Sequence, residues 1–364
     1  VAMKDAFSDA EIKRGETGHL QSVVEACKTS RSAAYRKKNE EIDQLFYSIP
    51  VYKQYSVEQL EKVRLDILFC YFAYGFTPRE YFNFHLENKS ADERKEFISS
   101  RLRLIYRCKM NNILKAGLFN DKAKTYELYK DYFHREAIAI EKPSDYQQYD
   151  DFVTKHPVFI KKAVFEAQGN SVELIDINRC SKSKKELFDE LLVIGKHILE
   201  EKIEQTPELA MFNESSVNTV RAITFNTKHG IVVPYCVIRT GAPGSFVDNA
   251  GAGGISAAID FATGEIVTDG FDEMGGVFTQ HPATGLTLKG YRFPDWLQLQ
   301  ELVCESAKKV PQIQFIGWDL AHTKDGWIIV EGNENCYVVA QQMIMDQGMR
   351  TVFEEVMKDM KLYV

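Results

Sequence analysis

The strongest constraint on this chain is the run GWDLAHTKDGWIIVEGNEN at residues 317–335. It reads as two short strands folded back on a turn at Asp325-Gly326, a pair that favours a tight hairpin. Asp319 lies on the first strand, and Glu331 and Asn333 lie two apart on the second. Strand side chains alternate between faces, so Glu331 and Asn333 point the same way. If the hairpin pairs about its turn, Asp319 falls beside them. Two carboxylates and an amide oxygen then converge on one spot.

Oxygen ligands of that kind suit Mg2+, which keeps some waters and takes its other ligands from substrate phosphates. The competing reading is a surface hairpin with acidic decoration. The flanking Trp318, Leu320, Ile329 and Val330 argue instead for a half-buried hairpin, in which unpaired carboxylates would cost several kcal/mol.

Other features narrow the class. A chain of 364 residues is long for one core, so two or three subdomains are expected. A net charge of −7 argues against a general nucleic-acid or membrane-surface binder. There is no apolar run approaching a membrane span and no apolar core of a signal peptide near the N-terminus; Val1-Ala2 ahead of Met3 reads as a cloning remnant. Cys27, Cys70, Cys108, Cys180, Cys236, Cys304 and Cys336 are odd in number and lack Cys-x-x-Cys spacing, as expected of reduced cytoplasmic thiols.

Along the chain, residues 1 to about 50 are polar, and Ser30 to Arg36 read as flexible or weakly helical. Capping boxes at Ser56/Gln59 and Ser90/Glu93, with Thr77-Pro78-Arg79-Glu80 between them, open amphipathic helices and predict a helical region. The aromatic stretch Tyr71 to Phe76 is read as core. From His156 to Lys162 runs an apolar strand ending in lysines, with Ser171 to Ile177 as its partner. Lys184 to Leu199 reads as an amphipathic helix. Ser215 to Thr224 and Ile231 to Gly241 form a second strand pair, carrying Arg221 and Arg239. An interior arginine needs a carboxylate or a phosphate partner. A structural ion pair is one reading; phosphate or acyl-phosphate binding is favoured, because both strands lead toward the hairpin at 317–335.

These segments together resemble the ATP-grasp superfamily, whose metal hairpin places an acidic residue ahead of Glu-x-Asn. Within it they look like the family associated with sugar transfer and polysaccharide assembly. The resemblance covers roughly the C-terminal two thirds, and the helical part more weakly. It implies an α+β ATP-grasp fold in which two α+β subdomains grip ATP: a helical region at 1–135, a small subdomain at 136–205 and a metal-bearing subdomain at 206–364. ATP and Mg2+ are the implied cofactors.

The resemblance also implies roles. Lys122, with Lys124 as fallback, and Lys161 reach the nucleotide phosphates, and the loop holding Gly169 covers them. The segment Glu200, Glu201, Lys202 and Ile203 reads adenine and ribose, either glutamate facing the ribose. Asp319, Glu331 and Asn333 hold metal, and Arg221 and Arg239 serve the chemistry. Asn218, Asp248, Asn249, Gly254, His281 and Asn335 line the substrate side. Two departures stand out: the lid has one glycine, and Lys162 stands where proline is common. The implied activity is a carboxylate–amine ligase working through an acyl phosphate, on a sugar or amino-acid carboxylate in cell-surface polysaccharide assembly. The expected partners are those two small molecules, with no nucleic acid and with a glycan-assembly protein as a further candidate. A kinase of small molecules and a non-catalytic nucleotide-binding module are the alternatives.

Overall fold

The structure, a computed structural model, describes residues 6–164, 172–242, 244 and 253–363. Among the described residues it opens with nine α-helices: α1 (Asp9–Glu16), α2 (Leu20–Ser30), α3 (Ser32–Ser48), α4 (Val57–Tyr74), α5 (Pro78–Asn83), α6 (Ala91–Glu96), α7 (Ser100–Met110), α8 (Ile113–Asn120) and α9 (Lys122–Phe133). Ser56, Thr77 and Ser90 each close a reciprocal capping box on α4, α5 and α6. The polar stretch from residue 6 to 50 is more helical than expected. Only Arg31 interrupts the helices through 30–36, because Val23, Val24, Cys27, Ile42 and Leu45 recur at helical spacing and bury themselves. Tertiary burial here outweighs weak local propensity.

A four-stranded antiparallel sheet follows, in the order β1-β4-β2-β3, from β1 (Ala137–Ile140), β2 (Val158–Ala163), β3 (Glu173–Asp176) and β4 (His197–Glu201). Helices α10 (Tyr146–Lys155) and α11 (Lys184–Ile194) cover one face, where Ile138, Phe159 and Leu199 pack on Phe152 and Phe188. The expected helix to Leu199 stops at Ile194. Gly195 adopts φ +131°, which a residue with a Cβ resists, and Ile198 and Leu199 continue as strand with opposite faces.

The last part holds α12 (Pro207–Ala210), β5 (Thr219–Thr227), β6 (Gly230–Thr240), β7 (Ile255–Asp260), β8 (Glu265–Ile266), β9 (Gly270–Phe271), β10 (Val277–Phe278), α13 (Trp296–Lys308), β11 (Phe315–Thr323), β12 (Gly326–Asn333), α14 (Val339–Met345) and α15 (Arg350–Met357). Among the described residues its sheet runs β10-β9-β7-β6-β5-β11-β12, with β8 on β7. Period-two alternation gives this sheet two lives. One face, with Val220, Ala222, Ile238, Trp318 and Leu320, packs on α13 and α9. The other begins as core, where Ile223, Phe225, Val237 and Phe315 meet α15 and the N-terminal helices. Phe225, Phe315 and Phe353 interlock with ring centroids 4.8 to 5.8 Å apart, each contributing about 1.5–3 kcal/mol by its burial. Further along the same strands this face carries Arg221, Arg239, Asp319 and Glu331 instead. The apolar end fixes the sheet; the charged end is left for chemistry. Among the described residues no helix is long and apolar enough to cross a membrane.

Candidate active site

The β11–β12 hairpin closes on the pair Thr323 and Gly326, so Lys324 and Asp325 are its central residues, one position ahead of the expected turn. Gly326 takes φ +91°. Carried inward unbroken, that register would set Asp319 against Val330 and turn Glu331 to the wrong face. A β-bulge intervenes: Leu320 pairs with Ile329, but Asp319 pairs with Glu331, leaving Val330 as the extra residue. The freed carbonyls are not wasted. Arg135, just before β1, donates from Nη1 to the Ile329 carbonyl at 2.7 Å and from Nη2 to the Val330 carbonyl at 3.0 Å. The convergence of the two carboxylates therefore depends on a bulge that a distant arginine stabilises.

Asp319 is 7% exposed and sits between two guanidiniums. Arg221 grips it through Nε and Nη2, the latter at 2.6 Å, and Arg239 Nη1 lies 3.1 Å from Oδ1. Burial alone would push this carboxyl up, but Arg221 and then Arg239 outweigh it and hold it below its ordinary range. Glu331 shows the reverse balance. Burial first and the Asp319 charge second push it up, only partly opposed by Lys162, Lys122 and Arg221. Asn333 follows on the same face, opposite Gly317.

Two carboxylates on adjacent strands, one held ionised and the other lacking compensating charge, are a place where a divalent cation lowers the energy. The described residues contain no cluster of three or more His, Cys, Asp or Glu groups placed for a metal. Two carboxylates and an amide oxygen fit a hard ion that completes its shell with water and phosphate. Such an ion would share Asp319 with the arginines.

The small sheet contributes from the face opposite α10 and α11. Glu200, 5% exposed, accepts from Arg135 Nε and Nη2 at 2.9 and 2.8 Å and from Lys162 Nζ at 2.9 Å. Burial opposes its charge, yet Lys162 and Arg135 hold the carboxyl at about 2. Lys122, the first residue of α9, and Lys162 both bring positive charge to Glu331. Lys161 points to the other face, where it pairs with Glu173 at 2.8 Å. Glu201 likewise turns away, accepting from the Glu136 amide at 3.1 Å, while Lys202 is exposed and Ile203 half-buried. Lys124 is exposed and lies 3.7 Å from Asp121. Of the two glutamates left open by the sequence, Glu200 is the one on the face with Lys162.

Several expected substrate residues do structural work. Asn218 is fully buried and donates to the Leu209 and Asn213 carbonyls, both at 2.8 Å. His281 is fully buried beside the Thr240 hydroxyl at 2.9 Å, and burial lowers its pKa. Gly254 is buried just before β7. Asn335 is exposed and accepts from Arg103 at 2.5 Å. Gly169, Asp248 and Asn249 lie outside the described residues.

Sequence reasoning missed Lys162, Arg135, the α7 residues Arg103 and Arg107, and Asn111, which caps α7. Strand alternation could have flagged Lys162 once Glu200 was placed. Nothing local marks Arg135, whose partners lie 65 and nearly 200 residues away. The two α7 residues lie four positions apart, a spacing that signals a shared helix face but not what it meets.

No curated protein matches the chain. Solved structures with a similar arrangement include the ATP-grasp ligase PsnB complexed with minimal precursor, at 10% identity and TM-score 0.44 over 71% of this chain and 69% of that one. D-alanyl-alanine synthetase A from Vibrio cholerae O1 biovar eltor aligns at 9% identity and TM-score 0.42, over 69% and 68%. N5-carboxyaminoimidazole synthetase from Staphylococcus aureus, complexed with ADP, aligns at 12% and 0.45, over 74% and 60%. Residues 101–358, well over half of the chain, match the family described as sugar-transfer associated ATP-grasp, and the chain belongs to that family.

Proposed function

We propose that this protein is an ATP- and Mg2+-dependent carboxylate–amine ligase. ATP and Mg2+ come with its family. What supports the rest is one observation: the Asp319–Glu331 pair lies on the same face as Arg221 and Arg239, with Lys122 and Lys162 bringing charge to it from elsewhere in the chain.

In this reading Asp319, Glu331 and Asn333 hold Mg2+, which when bound draws the nucleotide phosphates together and offsets their charge. Lys162 exchanges Glu200 for a phosphate oxygen, and Lys122 contributes a second cation. Glu200, kept ionised by Arg135, is left to accept from the ribose hydroxyls. A substrate carboxylate oxygen attacks the γ-phosphorus; the bond to the bridging oxygen breaks and ADP leaves. Arg239, with Arg221 behind it, steadies the oxygens of the acyl phosphate. An amine nitrogen then attacks the acyl carbon, loses a proton and expels phosphate. No side chain need be covalently modified. The acid is a sugar or amino-acid carboxylate of cell-surface polysaccharide assembly, the setting that the family's description suggests.

The test is hydroxylamine trapping with ATP and Mg2+ across a panel of carboxylates, with ADP release followed alongside. A ligase gives a hydroxamate with one acid and needs a nucleophile for full turnover. ADP release that requires only one acceptor and yields no hydroxamate would make the protein a kinase.

A further inference from the structure

Helix α7 presents Arg103 and Arg107, followed by its C-cap Asn111, toward the segment after β12. Two of the three are complete. Arg107 grips the buried Glu334 carboxylate with two bonds of 2.6 Å. Asn111 donates to the Phe315 carbonyl at 2.9 Å and accepts from the Phe315 amide at 2.8 Å.

Arg103 is not complete. It is 4% exposed, yet among the described residues no carboxylate lies within ion-pair distance. Its Nη1 alone donates, to the Asn335 carbonyl (3.3 Å), the Asn335 side-chain oxygen (2.5 Å) and the Cys336 carbonyl (3.3 Å). Its Nε is buried without any partner. The guanidinium carbon lies 4.4 Å from the centre of the Tyr337 ring. Neutral carbonyls and a ring orient a guanidinium but leave its charge in place, and a buried charge without a counter-ion is costly. The nearest acid in influence, Glu80, is committed to the Thr77 and Ser100 amides and the Ser100 hydroxyl, and burial pushes its own pKa up.

The position of this arginine matters. Cys336 feels both Arg103 and Arg221, and a Cβ on Gly317 would touch Cys336 and approach the Arg221 side chain at 3.4 Å. Arg103 and the arginine that holds Asp319 therefore both act on Cys336, which ties Arg103 to the candidate site. Asn335 and Tyr337, which contact its guanidinium, are themselves exposed, so the arginine lies just beneath a surface pair.

We propose that Arg103 anchors a carboxylate of the substrate, a spectator group rather than the one activated. A carboxylate accepts two parallel N–H bonds from a guanidinium, which here would satisfy Nε and supply the missing charge. The substrate is then at least a dicarboxylate. This rests on the ligase reading for its place in catalysis, but its binding test does not.

The experiment uses the full chain as wild type, Arg103→Gln and Arg103→Lys, with glutarate as probe and inorganic phosphate as control. Isothermal titration should show glutarate binding to wild type, weakened at least 10-fold in Arg103→Gln and less in Arg103→Lys, with ATP affinity within two-fold throughout. Failure of wild type to bind glutarate, equal binding by Arg103→Gln, or a preference for phosphate would overturn the proposal. Should the variants fail to fold, the 15Nε arginine resonances of wild type decide: one must move on adding glutarate, and none moving refutes it. In the hydroxamate assay the KM for glutarate should rise at least 10-fold in Arg103→Gln while the KM for ATP stays. Turnover of no acid at all, with glutarate still bound through Arg103, would count against the ligase reading and leave the anchor standing.

Discussion

Neutralising the two paired carboxylates should change stability in opposite ways while abolishing turnover in both cases. Asp319→Asn removes the counter-ion of Arg221, a guanidinium mostly withdrawn from solvent. Breaking a buried ion pair from one side costs about 3–5 kcal/mol, since the remaining charge stays desolvated. At about 2 °C per kcal/mol for a chain of this size, the melting temperature should fall by roughly 6–10 °C. Glu331→Gln does the reverse. Burial and the neighbouring Asp319 charge already penalise the ionised carboxyl, so the neutral amide removes a repulsion and the melting temperature should stay within about 2 °C of wild type or rise. The assay is thermal unfolding at neutral pH in EDTA without nucleotide, beside turnover with ATP and Mg2+.

The pH dependence gives a second reading of the same pair. A raised folded pKa means that the native state holds the Glu331 proton more tightly than the unfolded chain. Its contribution is therefore full below the ordinary carboxyl value and is lost as pH rises from there through the elevated one. Glu331→Gln should flatten that decline. Asp319, held below its ordinary range, contributes stability above that range and loses it as pH falls. If Glu331→Gln destabilises as far as Asp319→Asn, or Asp319→Asn leaves the melting temperature unmoved, the charge balance argued for this site is wrong.

Lys162→Ala should weaken ATP binding by about 10- to 100-fold, as expected on losing a charge-assisted phosphate contact, whereas Lys161→Ala should change it less than three-fold. Equal losses measured by nucleotide titration would undo the facing of these two lysines. Arg135→Met should cost about 3 kcal/mol by leaving Glu200 and two strand carbonyls short of a donor, and should raise the Mg2+ concentration needed for half-maximal turnover. An unchanged Mg2+ requirement would separate the bulge from the metal. Glu200→Gln removes a carboxyl held at about 2, so the acid-side fall in stability between the ordinary carboxyl value and that point should shrink by about 3 kcal/mol. Arg239→Ala should lower kcat more than it weakens ATP, and a loss confined to ATP affinity would reassign it.

What the sequence made legible was whatever depends on period and local chemistry. The capping boxes at Ser56, Thr77 and Ser90 could be read because cap and partner are three residues apart. The facing of Glu331 and Asn333 could be read because alternation along one strand needs no partner. What stayed hidden depends on register or on distance. The choice between Lys161 and Lys162 is a choice of sheet face, which the flanking Phe159 decides only once α10 and α11 are known to cover its side. Asn218 and His281 come from the family resemblance and not from any local pattern; both are fully buried and hydrogen-bonded within the chain.

The hairpin shows how far such reading can be right for an incomplete reason. A simple two-residue turn places Asp319 opposite Val330, and then the two carboxylates point to opposite faces of the sheet. Their convergence requires one extra residue, and nothing in the run from Gly317 to Asn335 announces it. Arg135 donates to the Ile329 and Val330 carbonyls at the bulge and is in turn held by Glu200, on the strand proposed to meet the ribose. Under the proposed function the nucleotide site and the metal pair share this one buried guanidinium, so Arg135→Met is expected to disturb both, and a change confined to ATP affinity or to the Mg2+ requirement would separate them.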